Sequence, residues 1–417
     1  MTATLHHSFA NSLREISAAQ SVKRVAAAVS GGSDSMALLC LLSGWCRRSE
    51  VELAAVSVDH GIRPAARNEC DLVAGLARKL GHEHRILRWQ PVDGGNLQNE
   101  ARRGRYRLIA GWAREAGIEA VLLGHTMDDQ AETLLLNLAR GSGVDGLAAM
   151  PSAIERDGML WLRPLLTFRR HALRKFLCDR GVSWVEDPSN DDDRFDRVKL
   201  RRMIPELASL GMSVERLSAT AGRMQLARQA LEQATEEAAR HCACLTELGE
   251  VRFSGELWSL STELRLRLVS DALRAVSVST YRPRLHSLVN ALESARLRVV
   301  TLSGCMMLPM PGNGMLVMRE HAACGPPVSA DALWDKRWLL DAPGIPDGSM
   351  IAALGKAGLK ELGCHPAADL SPERLSVTPS LWLRGRLYAA PFAGLRSGIR
   401  FRLENSSVKW LGSARRH

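Results

Sequence analysis

Two short stretches of this sequence concentrate residues that could do chemistry on a phosphate. The first is Ser30-Gly31-Gly32-Ser33-Asp34-Ser35. It follows the small and β-branched run Val25–Val29 and precedes Met36, Leu38, Leu39, Leu41 and Leu42, so a buried strand turns directly into a buried helix. Backbone N–H groups at such a turn, with the positive end of the helix dipole, suit an anion. Gly31 and Gly32 allow close backbone approach, and the serine hydroxyls add donors. No Lys follows the glycines, which excludes the Walker loop. The second stretch is Gly124-His125-Thr126-Met127-Asp128-Asp129-Gln130-Ala131-Glu132-Thr133. Mg²⁺ takes one or two carboxylates plus phosphate oxygens, so Asp34 with one of Asp128, Asp129 or Glu132 can hold it; Asp34 and Asp129 are the expected pair. A further carboxylate, or His125, can handle the proton of an incoming amine. Asp128 and Asp129 also suit a helix N-terminus on electrostatic grounds alone.

The elements that must position these residues alternate regularly. Val51–Val58 reads as a second strand and ends in Asp59-His60-Gly61-Ile62-Arg63. Ala66–Leu80 is helical, His84–Trp89 a third strand, and Asn96 caps a helix through Ala101 and Trp112. Ala120–Leu123 is a fourth strand, and Asp128–Arg140 the next helix. Alternation of this kind predicts an α/β fold with a parallel, doubly wound, Rossmann-like sheet, in which ligands bind outside the carboxyl ends of the strands. Ser30–Ser35, Asp59–Arg63 and His125–Glu132 all fall at that rim. Gly141-Ser-Gly-Val-Asp-Gly146 has the dinucleotide fingerprint spacing but follows a helix, so it reads as a helix stop and loop. Beyond it, a helix over Arg169–Arg180 leads to the acidic loop 186–193 and then to Arg194, Arg197, Lys199, Arg201 and Arg202. Three domains are expected: 1–210 catalytic, 211–325 helical, and 326–417 small, basic and β-containing (α+β or β).

The chain has 417 residues and a net charge of +10, of which residues 1–210 supply only +3 (29 basic against 26 acidic). The excess therefore lies in the second half, where 365–417 carries 9 basic and 3 acidic residues, and a polyanionic partner is expected. Nine scattered cysteines without framework spacing argue for reduced thiols, and Cys242-Ala-Cys244 lacks the partners of a zinc site. There is no apolar signal core and no run of about 18 apolar residues, so a cytoplasmic protein without a membrane partner is expected. The oligomeric state stays open, a homodimer included.

The loop Ser30–Ser35 resembles the pyrophosphate-binding loop (PP-loop) of ATP pyrophosphatases. The ordered set then continues through Asp59-His-Gly-Ile-Arg63, Asn96 with Ala101-Arg102-x2-Arg105-Tyr106, and Gly124–Thr133. It ends with Arg140-Gly-Ser-Gly-Val-Asp-Gly-Leu147, Arg163-Pro-Leu-Leu166 and Asp187-Pro-Ser-Asn190. Together these resemble the bacterial tRNA(Ile)-lysidine synthetases over roughly residues 22–205. The resemblance implies an ATP-dependent ligase that adenylates C2 of the wobble cytidine in the CAU anticodon of tRNA(Ile). The ε-amine of L-lysine then attacks, giving lysidine and releasing AMP and pyrophosphate. It implies ATP with Mg²⁺ at Ser30–Ser35, Asp59, His60, Gly61 and Arg63, and catalysis by Asp34, His125, Asp128, Asp129 and Glu132. Contacts to tRNA are implied for Arg102, Arg105, Tyr106, Arg163, Arg194, Arg197 and Arg201.

One position departs from that family. Arg197-Val198-Lys199-Leu200-Arg201 has Val where the family usually carries Asn. Rival readings are a sulfur-inserting PP-loop enzyme on tRNA, an amide-forming synthetase for a small metabolite, and a non-catalytic RNA-binding PP-loop protein. The first needs thiols that the motif clusters lack, the second leaves the basic second half unexplained, and intact Asp34, His125 and Asp128/Asp129 oppose the third.

Overall fold

A computed structural model describes residues 2–16, 22–59, 65–89, 97–186, 194, 196–279, 281–363, 370–396, 398–404 and 415–416. The chain divides into two compact units, 1–228 and 229–417.

The first unit begins with α1 (Thr2–Glu15), β1 (Arg24–Ala28), α2 (Ser33–Ser49), β2 (Glu52–Asp59), α3 (Ala65–Leu80), β3 (Glu83–Arg88), α4 (Leu97–Glu115) and β4 (Ala120–Leu123). It continues with α5 (Met127–Ala139), α6 (Val144–Leu147), β5 (Ala153–Arg156), β6 (Met159–Leu162), α7 (Arg170–Cys178) and α8 (Asp196–Ser209), and α9 (Val214–Cys242) begins in it and ends in the second unit. Its sheet has the order β3-β2-β1-β4-β6-β5, parallel except for the β5 edge. The doubly wound sheet expected from the strand–helix alternation is therefore present. Period-two patterning assigns the two faces: Val25, Ala27, Leu53, Ala55 and Leu122 pack with α1, α2, α3 and α7. Ala26, Ala54, Val56, Val121 and Leu123 pack with Ile109, Ala110 and Ala113 of α4. Successive strands run outward from β1 to β3, then return to its other side as β4. The sheet thus changes direction between β1 and β4, and the loops after these two strands open at that crevice.

The β5–β6 hairpin was not expected from the sequence, although Asp157 (φ +54°) and Gly158 (φ +68°) form the Asp-Gly turn that such a hairpin favours. Gly141 (φ +67°) ends α5, as a helix stop should.

The second unit contains β7 (Ala243–Leu245), β8 (Val251–Phe253), α10 (Thr262–Ser277), α11 (Leu285–Ala295), β9 (Val300–Leu302), β10 (Cys305–Met310) and β11 (Gly314–Arg319). These are followed by β12 (Val328–Ser329), β13 (Trp338–Asp341), β14 (Ser349–Ala353), α12 (Gly355–Leu362), α13 (Pro372–Ser376), β15 (Pro379–Leu383), β16 (Arg386–Ala389), β17 (Arg400–Leu403) and β18 (Arg415–Arg416). Besides the helices expected before residue 325, this stretch holds the antiparallel run β7-β8-β11-β10-β9, closed between β9 and β10 by Ser303 (φ +54°) and Gly304 (φ +70°). β18 adds to the β7 edge of that sheet in parallel, and the other strands form a four-stranded sheet, β12-β14-β15-β16, and the pair β13-β17. Among the described residues no helix is long and apolar enough to cross a membrane.

Candidate active site

Three helix N-termini meet at the crevice, and they differ in how their amides are satisfied. At α5, Thr126 and Asp129 form a capping box: the Thr126 N–H and hydroxyl donate to Asp129 Oδ2 (2.8 and 2.9 Å), and the Asp129 N–H donates to Thr126 Oγ1 (3.4 Å). At α7, the Arg170 N–H donates to Asp128 Oδ2 at 2.7 Å. At α2 the N-cap is Gly32, which offers no side chain, so the Ser33, Asp34 and Ser35 amides have no intrahelical acceptor. The end left open to an anion is therefore that of α2.

The loop before it is shaped from within. The Ser30 N–H donates to Ser35 Oγ (3.2 Å), and the Ser35 hydroxyl donates to Gly32 O (2.9 Å). Gly31 sits at φ +86°, a conformation that strains any other residue. Gly124 is needed for a different reason: a Cβ there would lie 3.1 Å from the backbone of Asp34 and Ser35. Its absence lets the turn after β4 press against the start of α2.

A cleft of about 940 Å³ opens here, lined by Ser30, Gly32, Ser33, Asp34, Ser35, Arg105, His125, Asp128, Asp129, Arg170, Arg174 and Arg201, among others. Its polar centre is Arg170. Nε donates to Asp34 Oδ2 (2.9 Å), Nη2 to Asp129 Oδ1 (2.9 Å) and Nη1 to Glu132 Oε1 (3.4 Å). Glu132 is fully buried and also takes Arg201 on both oxygens (2.6 and 3.3 Å). Burial opposes the charge of Arg170, but Asp129, Asp34 and Glu132 outweigh it and raise its pKa. The two aspartates respond in opposite directions. Burial dominates at Asp34 and lifts its pKa above the usual range despite Arg170. At Asp129 burial is overcome by Arg170, the Thr126 amide, nearby His125 and the Thr126 hydroxyl, so its pKa is lowered.

Several expected site residues are held in contacts with the surrounding fold. Tyr106, expected at the tRNA, is 2% exposed and packs edge-on against Trp161 (4.5 Å between centroids). Arg163, expected there too, is buried and donates to Pro151 O at 2.8 Å. Asp128 is engaged in capping α7 and in an ion pair with Arg169 (3.5 Å). Asp59 ends β2, where its carbonyl accepts the Trp89 N–H (2.9 Å), and it does not line the cleft. Arg105 does line it; Arg194 is exposed and Arg197 half-buried on α8. Val198, at the family's usual Asn, is buried on that helix. His60, Gly61, Arg63 and the loop 187–193 lie outside the described residues, as does the side chain of Arg102.

Sequence reasoning missed Arg170 and Arg174. Their signal was present: Arg169, Arg170, His171 and Arg174 crowd the first turns of a helix, where the dipole disfavours cations. Such crowding requires acidic or anionic partners nearby.

A doubly wound sheet with an uncapped, glycine-preceded helix N-terminus at its crevice defines a PP-loop domain, and the PP-loop domain family matches residues 5–207. The tRNA(Ile)-lysidine synthase of Ruegeria pomeroyi is 40% identical over 98% of this chain and 97% of its own length. That of Wolbachia pipientis wMel is 35% identical over 82% of this chain and 84% of its own. The chain belongs to the tRNA(Ile)-lysidine synthase family. Among solved structures, the U34-tRNA thiolase NcsA from Methanococcus maripaludis is similar with a TM-score of 0.45 and 17% identity, over 52% of this chain and 76% of that one.

Proposed function

We propose that this chain makes lysidine in the cytoplasm from ATP, L-lysine and the wobble cytidine of tRNA(Ile) with anticodon CAU. The observation that carries the reading is one cleft holding both an uncapped PP-loop and an acidic cluster, in a chain aligned end to end with a lysidine synthase. An anticodon loop presents an unpaired base, so the cytosine reaches such a cleft without duplex melting. Its C2 oxygen attacks the α-phosphate and pyrophosphate departs. The Ser33–Ser35 amides and the α2 dipole stabilise the charge leaving with it. Adenylation turns that oxygen into a leaving group; the lysine ε-amine, once deprotonated, attacks C2 and expels AMP.

Asp34, Asp129 and Glu132 are bonded to Arg170 and Arg201, three carboxylates to two guanidiniums. The surplus negative charge suits one further cation, the lysine ammonium or Mg²⁺. Mg²⁺ fits at Asp34, whose Oδ1 receives only a long 3.3 Å contact from the Ser33 hydroxyl. It fits poorly at Asp129, where both oxygens already serve Thr126 and Arg170. Bound at Asp34, the ion would neutralise phosphate charge. Asp129, at the cleft wall, is left to face the lysine ammonium, with His125 beside it to take the proton, while the buried Glu132 holds Arg170 and Arg201 in place.

Incubation with ATP, labelled lysine and CAU-anticodon tRNA(Ile) tests this. One label per tRNA, with equal AMP and pyrophosphate, is expected. Pyrophosphate release on another substrate without lysine incorporation would refute it.

A further inference from the structure

Arg174 stands one turn beyond Arg170 and lines the same cleft, yet no step above uses it. Its Nε lies 3.4 Å from Ser33 Oγ, at the first residue of α2 and so beside the uncapped amides. Its other side is held by Glu186, 3.0 Å from Oε1 and 3.2 Å from Oε2. Glu186 itself accepts the Trp184 indole N–H (3.0 Å), and the intervening Val185 N–H donates to Gly31 O (3.0 Å). The segment carrying Glu186 is thus fastened to the PP-loop backbone.

The two arginines of α7 face different chemistry. Each guanidinium nitrogen of Arg170 meets a carboxylate, which fits it to organising the acidic cluster. Arg174 has the loop on one side and on the other an acceptor in the open. With side-chain exposures of 42% and 60%, the Arg174–Glu186 pair is solvent-screened and weak. A phosphate at the α2 N-terminus would offer the same guanidinium a stronger, two-pronged partner.

We propose that Arg174 is a substrate-binding residue for the β and γ phosphates of the nucleotide and for the pyrophosphate they become, and that Glu186 is the acceptor it gives up on binding. This rests on the reading of the cleft as an ATP site. Glu186 then opposes pyrophosphate binding, by competing for Arg174 and by placing a negative charge beside the anion.

Binding of Mg²⁺-pyrophosphate and, separately, of AMP to the full-length protein without tRNA tests the proposal by calorimetry. Arg174→Ala should weaken pyrophosphate binding roughly tenfold or more, the scale of one charge-assisted hydrogen bond, and leave AMP binding unchanged. Arg174→Lys should fall between. Glu186→Gln should bind pyrophosphate more tightly than the wild type, an opposite sign that misfolding does not produce. Unchanged pyrophosphate affinity in Arg174→Ala, or equal losses for pyrophosphate and AMP, would overturn the role of Arg174. A wild-type protein that binds neither pyrophosphate nor ATP would instead overturn the ATP-site reading, and this proposal with it.

Discussion

Asp34 and Asp129 share Arg170, but only Asp129 is held by an amide cap, and this difference separates their effects on stability. The folded protein binds the Asp34 proton more tightly than the unfolded chain does, so ionising Asp34 above its ordinary value of 3.8 costs stability. Asp34→Asn should therefore raise the melting temperature at pH 7, and the gain should vanish as pH falls below the ordinary carboxylate range. Turnover in the same variant should drop by about 100-fold or more, the scale of losing one charge-stabilising group. Thermal scans and steady-state rates on one preparation check both; a destabilised variant at pH 7 would show that the Arg170 bond outweighs burial. Asp129 has the reverse sign. Its ionised form contributes stability above the ordinary value, and this is lost as pH falls through its lowered folded value. At this scale, composition and spacing named Asp34, Asp129 and Glu132, whereas Tyr106 and Arg163 could not be sorted from surface residues. Amphipathic side chains look alike in sequence whether they face a ligand or a core.

At the scale of elements, the close approach of the turn after β4 to α2 depends on Gly124. Gly124→Ala places a methyl 3.1 Å from the Asp34 and Ser35 backbone, atoms that cannot swing aside as a side chain would. Overpacking of this kind costs about 1–3 kcal/mol. The expected result is a modest drop in melting temperature with a disproportionate loss of turnover, because the displaced atoms belong to the PP-loop. An activity loss no greater than the loss of folded protein would show that the approach is only packing. The central strands and helices were legible because their runs are long and their periods clean. The short elements were not. Among them, β5–β6 carried an Asp-Gly turn that would have revealed it; α8, though longer, holds Pro205 and dense charge that mask its period.

For the whole molecule, the parallel sheet gathers residues from positions 30 to 201 at one crevice, and the strand–helix alternation already implied that convergence. What it could not convey was the pairing inside the cleft, since Arg170 reaches Asp34 across 136 residues of chain. The charge excess of the second half is visible on its surface as exposed Arg384, Arg386, Arg396, Arg400 and Arg402, side chains of the kind that meet phosphate. The proposed reaction spends ATP in one cleft to make the C2 oxygen of a cytosine a leaving group. It is tested most directly with tRNA(Ile) carrying ¹⁸O at C2 of the wobble cytidine, followed by mass analysis of the released AMP in the presence of lysine. The expected result is one ¹⁸O per AMP, matched by one lysine per tRNA. AMP without ¹⁸O, formed while lysine is incorporated, would contradict adenylation at that oxygen.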